Sequence, residues 1–68
     1  MKISNILKLV SDPKVYIEIK YIVESGGGSF GFFTKNDLYH NDNLKHRKVE
    51  KINVQHINNK RVLILEVK

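Results

Sequence analysis

The sequence has 68 residues, no cysteine, and a formal net charge of +5 from 12 Lys and Arg against 7 Asp and Glu. This length allows one domain with a thin core, and the lack of cysteine excludes disulfides and thiolate zinc sites as sources of stability. Its 41% hydrophobic and 28% charged residues are typical of a globular chain, and no stretch has the roughly 20 apolar residues that span a bilayer.

Apolar residues near the N-terminus recur at helical spacing. A stripe at i, i+3, i+4 and i+7 predicts a short amphipathic helix, and Pro13 ends it because the residue before a proline disfavours the helical conformation. Lys8 interrupts the apolar run and no small-residue cleavage site follows, so we expect no signal peptide and a cytoplasmic protein. The stripe consists of Ile3, Ile6, Leu7 and Val10.

The clearest strand follows this helix. From Val15 to Val23, apolar and polar residues alternate with the period that is typical of a half-buried strand. The stretch SGGGS then interrupts the pattern, and FGFF resumes β-prone sequence. We therefore predict a first hairpin whose two strands are joined by a flexible glycine-rich loop.

The same stretch contains Gly26, Gly28 and Gly31 at the G-x-G-x-x-G spacing of nucleotide-binding loops. A dinucleotide site needs a helix that opens after the glycines, whereas phenylalanines follow here. A kinase loop works only with an H-R-D catalytic loop and a D-F-G metal site, and the sequence has neither. We therefore expect no nucleotide site and no cofactor.

A short second helix is predicted after the first hairpin. Thr34 and Asp37 match a variant of the capping box, which places the start of a helix there. This helix carries Leu38 and Tyr39 and ends at the asparagine-rich stretch HNDN.

The remaining sequence predicts a second hairpin. Its turn is expected at Asn58 and Asn59, because asparagine tolerates a positive φ. Such a turn places apolar pairs on one face and brings opposite charges together across the strands. The expected pairs are Val54 with Leu63, Ile52 with Leu65, and Lys51 with Glu66.

These elements predict an α+β fold. We expect a single two-layer domain over residues 1–68, with an antiparallel sheet of about four strands in two hairpins, a short N-terminal helix and a short middle helix. The sheet side of the predicted core contains Val15, Ile17, Ile19, Ile52, Val54, Leu63 and Leu65, packed beneath Ile6, Leu7 and Val10.

The layout of MKISNILKLVSDPKVYIEI followed by TKNDL, VEKINV and VLILEV resembles a group of small uncharacterised accessory proteins. Phages and prophages of low-GC Gram-positive bacteria encode these proteins, which often open with a short leucine-rich helix and finish in a β-hairpin. The resemblance is one of pattern and covers most of the chain. It implies an accessory gene product in the cytoplasm of a bacterial host, from a group that includes inhibitors of host enzymes and of defence systems.

Phe30, Phe32 and Phe33 are candidate partner-binding residues. An aromatic patch beside mobile glycines can anchor a protein partner or stack on bases. The alternative is that two of the three rings close a core that has little other aromatic material.

The three histidines are candidate metal ligands. His40, His46 and His56, together with Asp37 and Asp42, could be assembled into a metal or nuclease site. Their spacing fits no helix-borne H-x-x-x-H pattern, so surface histidines are favoured and no metal site is expected. No Ser-His-Asp or Cys-His arrangement is supported, and we expect no enzymatic activity.

The candidate nucleic-acid-binding residues are basic residues in the second half of the sequence. Two of them lie at the predicted turn of the second hairpin, whereas the KHRK run precedes the other strand at its far end, so two patches are expected. Such a run is more often a solvated face, and phosphate contact is the alternative. The candidates are Lys45, Arg47, Lys48, Lys51, Lys60 and Arg61.

The function expected from the sequence is therefore binding. The first hypothesis is a non-enzymatic interaction protein, a phage-related accessory factor that binds and could inhibit a host protein. The alternative is a basic nucleic-acid-binding module. Self-association is a further alternative, because a thin core gains stability from it, and no membrane partner is expected.

Overall fold

The computed structural model describes all 68 residues and contains two helices and four strands, in the order that the sequence predicts. The elements are α1 (Ile3–Leu7), β1 (Tyr16–Val23), β2 (Gly26–Phe33), α2 (Lys35–Tyr39), β3 (Val49–Ile57) and β4 (Lys60–Val67).

Both helices span only five residues, and local polar contacts begin them. At α2 the predicted capping box forms: the Asp37 N–H donates to Thr34 Oγ1 at 3.1 Å, and the Thr34 N–H donates to Asp37 Oδ2 at 3.4 Å. At α1 the Lys2 N–H donates to Asn5 Oδ1 at 3.0 Å. Helices this short are unstable alone, so their packing on the sheet stabilises them. Neither has the length and apolar character to cross a membrane.

The four strands form one sheet in the order β2-β1-β4-β3. Both hairpins are antiparallel, but β1 and β4 pair in parallel at the centre, so the sheet is mixed where the sequence predicted an antiparallel one. The reason is the segment 34–48, which contains α2 and carries the chain from β2 past the central strands to β3. Parallel pairing requires a crossover of roughly a dozen residues or more, and this segment is long enough.

The helices cover one face of the sheet and bury the core between the two layers. Ile17 and Ile19 of β1 lie beside Leu63 and Leu65 of β4 in the parallel register, and all four are buried as the sequence predicted. The other buried members of this cluster are Ile3, Ile6, Leu7, Leu38, Leu44 and Val67, with Val10 and Val15 partly buried against it.

Two residues of the predicted core lie largely outside it. Ile52 and Val54 of β3 are 51% and 56% exposed, although their cross-strand partners Leu65 and Leu63 are buried. The predicted register and the shared face are therefore correct. The cover supplied by the two short helices ends between β4 and β3, and this leaves both side chains accessible to solvent.

The β3–β4 turn forms at the two asparagines that the sequence indicates. Asn58 and Asn59 have φ values of 51° and 63°, and Ile57 pairs with Lys60 across them. Two consecutive positive φ values in a two-residue loop define a type I′ turn, whose twist matches that of the flanking strands. The predicted pairing of Lys51 with Glu66 is also present.

We expect replacement of Asn58 and Asn59 by Val to destabilise the fold. A left-handed conformation costs roughly 1–2 kcal/mol for each residue with a Cβ, and more for a β-branched one. In a domain of this size, each kcal/mol lowers Tm by about 4–8 °C in a thermal melt followed by circular dichroism. The matched control, Asn59→Gly, suits a type I′ turn and should leave Tm unchanged or raised. An unchanged Tm in the double Val variant would contradict the turn.

Candidate functional site

The glycine-rich stretch belongs to edge strand β2 and is not the loop that the sequence predicted. Glu24 and Ser25 form the turn, and β2 begins at Gly26, whose φ of 129° strains any other residue. Gly28 pairs with Tyr21, and an ideal Cβ on Gly28 would lie 2.6 Å from Tyr21 Cζ. An aromatic ring over a cross-strand glycine stabilises a sheet edge. The glycines therefore shape the hairpin.

The three phenylalanines of β2 lie in different environments. Phe33 is half-buried against the core. Phe30 is 40% exposed; its ring centroid lies 4.9 Å from that of Tyr21, and Arg47 Cζ lies 5.1 Å above it. Phe32 is 58% exposed and lies on the face of the sheet opposite the helices, which is called the open face from here on. A β-bulge in this hairpin breaks the alternation of side chains, so the three rings do not form a single patch.

Of the three candidate cations that precede β3, Lys45 and Arg47 are engaged by neighbouring groups, whereas Lys48 is exposed and forms no salt bridge. Lys45 Nζ lies 2.9 Å from Asp42 Oδ1, and this hydrogen bond and the lysine charge hold the pKa of the Asp42 carboxyl below its usual range. Arg47 Nη1 donates to the Lys68 carbonyl oxygen at 3.3 Å and also lies over the Phe30 ring. The Asp42 carboxylate therefore offsets the positive charge that Lys45 offers to a phosphate.

The remaining candidate cations are spread along the second hairpin. Lys60 and Arg61 begin β4, at the opposite end of the hairpin from Lys48. β3 rises about 3.3 Å per residue, so the two ends lie roughly 26 Å apart. Lys51 lies between them, directly across from Glu66. The basic residues therefore form two separate patches.

Lys14 joins Lys60 and Arg61 at the turn end of this hairpin, and sequence reasoning missed it. The three residues line one cleft of about 560 Å³, whose wall also includes Asp12 and Tyr16. Lys14 is far from Lys60 in the chain, and the parallel pairing of β1 with β4 brings them together. The spacing of residues along the chain does not specify which strands pair, so the cleft could not be found from it.

A shallow basin adjoins the cleft on the open face. It has a volume of about 300 Å³ and shares Tyr16 and Lys60 with the cleft. Lys60 Nζ lies 5.7 Å from the centre of the Tyr16 ring, in the range of a cation–π contact. The other lining residues are Phe32, Ile57, Asn58 and Val62.

The outer edge of β3 is a third exposed feature. Every residue from Glu50 to Ile57 is exposed, and β4 is the only strand that pairs with β3. Outside the pairing with β4, no backbone hydrogen bond involves this range. The edge therefore carries free N–H and C=O groups on a strand of nine residues.

The histidines and acidic residues are dispersed over the surface. His40 ends α2, His46 lies in the segment before β3, and His56 lies on β3, and all three are exposed. No group of three His, Asp or Glu residues is close enough to hold a metal ion, and no polar or charged residue is buried. The structural features that distinguish this molecule are thus its exposed surfaces.

No protein-family model, curated protein or solved structure matches the chain.

We expect no binding of ATP. In a phosphate-binding loop the glycine N–H groups surround the phosphates, whereas Gly26, Gly27 and Gly28 pair with β1 in a strand. Isothermal titration calorimetry with MgATP should give no binding heat at protein concentrations of tens of micromolar. A micromolar dissociation constant would contradict this account of the glycines.

Proposed function

We propose that this chain is a non-enzymatic interaction module that binds a host protein by adding an extended segment of that protein to the outer edge of β3. The observation that carries the proposal is the free edge of this nine-residue strand. Strand addition at an exposed sheet edge is a common mode of peptide recognition, in which backbone hydrogen bonds supply affinity and alternate side chains supply specificity. The resemblance to phage accessory proteins supports a partner from the host cell.

The hydrogen bonds of the second hairpin determine which backbone groups are free. Ile57 and Lys60 flank a two-residue turn, so they form a hydrogen-bonded pair. Bonded and non-bonded pairs alternate along an antiparallel ladder, so the N–H and C=O groups of alternate residues point away from β4. The residues with outward backbone groups are Ile52, Val54 and His56.

The side chains of the same residues favour a partner strand. Ile52 and Val54 lie on the helix-covered face, beside the buried Leu65 and Leu63, and both are more than half exposed. An added strand with apolar residues at alternate positions would extend the core sideways and cover them. Burial of apolar area stabilises such a complex by about 25 cal/mol per Å² before the costs of association are counted.

The opposite edge of the sheet is less suited to this role. β2 contains three consecutive glycines at its start and a bulge near Ser29 and Gly31. The Ser29 hydroxyl accepts the Gly31 N–H at 3.0 Å. A bulge and a twisted, glycine-rich edge oppose the addition of a strand. This difference favours β3 over β2 as the strand that pairs with a partner.

The charges around β3 favour an acidic partner segment. Lys48 and Lys51 flank the start of the strand. The one carboxylate on β3, that of Glu50, lies 3.5 Å from Lys68 Nζ. Complementary charge raises the rate of association and orients the partner. The expected ligand is thus an extended segment with apolar residues at alternate positions and acidic flanks.

Val54→Pro tests the free edge directly. The Val54 N–H points outward, so proline there removes a donor for the partner and leaves the β3–β4 ladder intact. Immobilised protein should retain a defined set of proteins from nuclease-treated lysate of a low-GC Gram-positive bacterium. By quantitative mass spectrometry, Val54→Pro should lower their recovery at least about ten-fold, a loss of roughly 1.4 kcal/mol.

Val54→Ala is the matched control, because it removes the apolar side chain and keeps the N–H. It should retain the same proteins at reduced recovery, and both variants should remain folded by circular dichroism. Equal recovery by Val54→Pro and the unaltered protein would overturn the proposal. So would loss of the retained proteins on nuclease treatment, or sedimentation showing a dimer that Val54→Pro dissociates.

A further inference from the structure

The start of β1 and the start of β4 together form a surface with both cationic and aromatic character. The cleft and the basin described above adjoin there, and Tyr16 and Lys60 line both. Their volumes of about 560 and 300 Å³ are within or near the range of small-ligand pockets. Of β3 this surface includes only Ile57, whose backbone groups pair with Lys60 and not with the outer edge.

The cations of this surface lack ion-pair partners. Lys14, Lys60 and Arg61 form no salt bridge, as is true of every cation of the chain except Lys20, Lys45 and Lys68. Asp12 is the one acid of the cleft, and its Oδ1 accepts the Lys14 N–H at 2.9 Å. Three cations against one carboxylate favour an anionic ligand.

The aromatic rings supply a surface for stacking. Tyr16 and Phe32 are 41% and 58% exposed, and they lie on adjacent strands of the open face. Glu18, the nearest acid on this face, accepts the Ser29 hydroxyl at 3.0 Å and lies 3.8 Å from Lys20 Nζ. The negative charge of Glu18 is therefore partly offset by Lys20. The rings remain available to a planar group beside the cations.

We propose that this surface binds single-stranded nucleic acid, with bases stacked on Tyr16 and Phe32 and phosphates held by Lys14, Lys60 and Arg61. Aromatic platforms with a cationic border bind single strands because every base has an exposed π-face once it is unstacked. In a duplex the bases are stacked on one another and do not reach the rings. A phosphate ligand without bases would leave the rings unused.

The test is fluorescence anisotropy with labelled oligothymidylate of about ten nucleotides, within the site size of single-strand binders. Each phosphate contact contributes about 0.7 to the log–log salt slope for a single strand, so three contacts predict a slope near 2 and a roughly twenty-fold loss between 50 and 200 mM salt. A duplex of equal length should bind at least about ten-fold more weakly.

Two pairs of variants separate stacking from charge. Phe32→Ala should weaken binding about ten-fold, whereas Tyr39→Ala, which truncates an exposed ring on α2, should not. Lys60→Ala should lower the salt slope by about 0.7, whereas Lys48→Ala at the far end of the hairpin should leave it unchanged. All four residues are exposed, so the variants should remain folded.

Three results would overturn the proposal: equal affinity of Phe32→Ala and the unaltered protein, equal affinity for duplex and single strand, or a slope that depends on Lys48 and not on Lys60. Val54→Pro should bind the oligonucleotide like the unaltered protein, because the β3 edge takes no part. This site and the proposed protein-binding edge can therefore fail independently.

Discussion

The parallel pairing of β1 with β4 is the contact on which the rest of this molecule depends. It aligns Ile17 and Ile19 with Leu63 and Leu65, the four central residues of the core, and it joins two hairpins that could not bury enough apolar area alone. The same register places Tyr16 beside Val62, and thereby gathers Lys14 and Lys60 around one cleft. It also leaves β2 and β3 as the two edges. The core, the cleft and the free edge of β3 therefore all result from the pairing of β1 with β4.

The helical layer is small, and its size explains what remains exposed. Each helix has five residues, and α1 is held partly by backbone bonds from the Ile3 and Ser4 N–H groups to the carbonyls of Arg47 and Lys45 at 3.0 and 2.9 Å. Two helices of this length cover the central strands but leave the side chains of β3 accessible to solvent. Ile52 at 51% and Val54 at 56% are exposed as a result. A chain of this length has too little material for a complete second layer, so the outer side chains of β3 stay accessible to solvent.

The individual strands, helices and turns can be predicted from the sequence, whereas the pairing of strands that are distant in the chain cannot. Alternation predicted β1, the capping box predicted α2, and two asparagines predicted the turn and register of the second hairpin. The prediction of a loop at the glycine stretch was wrong, because a glycine-rich composition is compatible with both a strand and a loop. The contact of the Tyr21 ring with Gly28 favours the strand. The run VLIL carried an unused signal, since a strand buried on both faces is continuously apolar, and Val62–Leu65 are all buried. The cleft required the parallel register, which no local pattern encodes.

Amide hydrogen exchange along β3, measured by NMR on the isolated protein, tests most directly whether its outer edge is free. The hairpin register predicts an alternation, because amides bonded to β4 exchange slowly and outward amides exchange quickly. Asn53 and Gln55 should be protected, whereas Ile52, Val54 and His56 should exchange near the rate of an unstructured chain. Protection of all five amides would mean that another strand already occupies the edge. That result would contradict the proposal that β3 has a free outer edge for a partner strand.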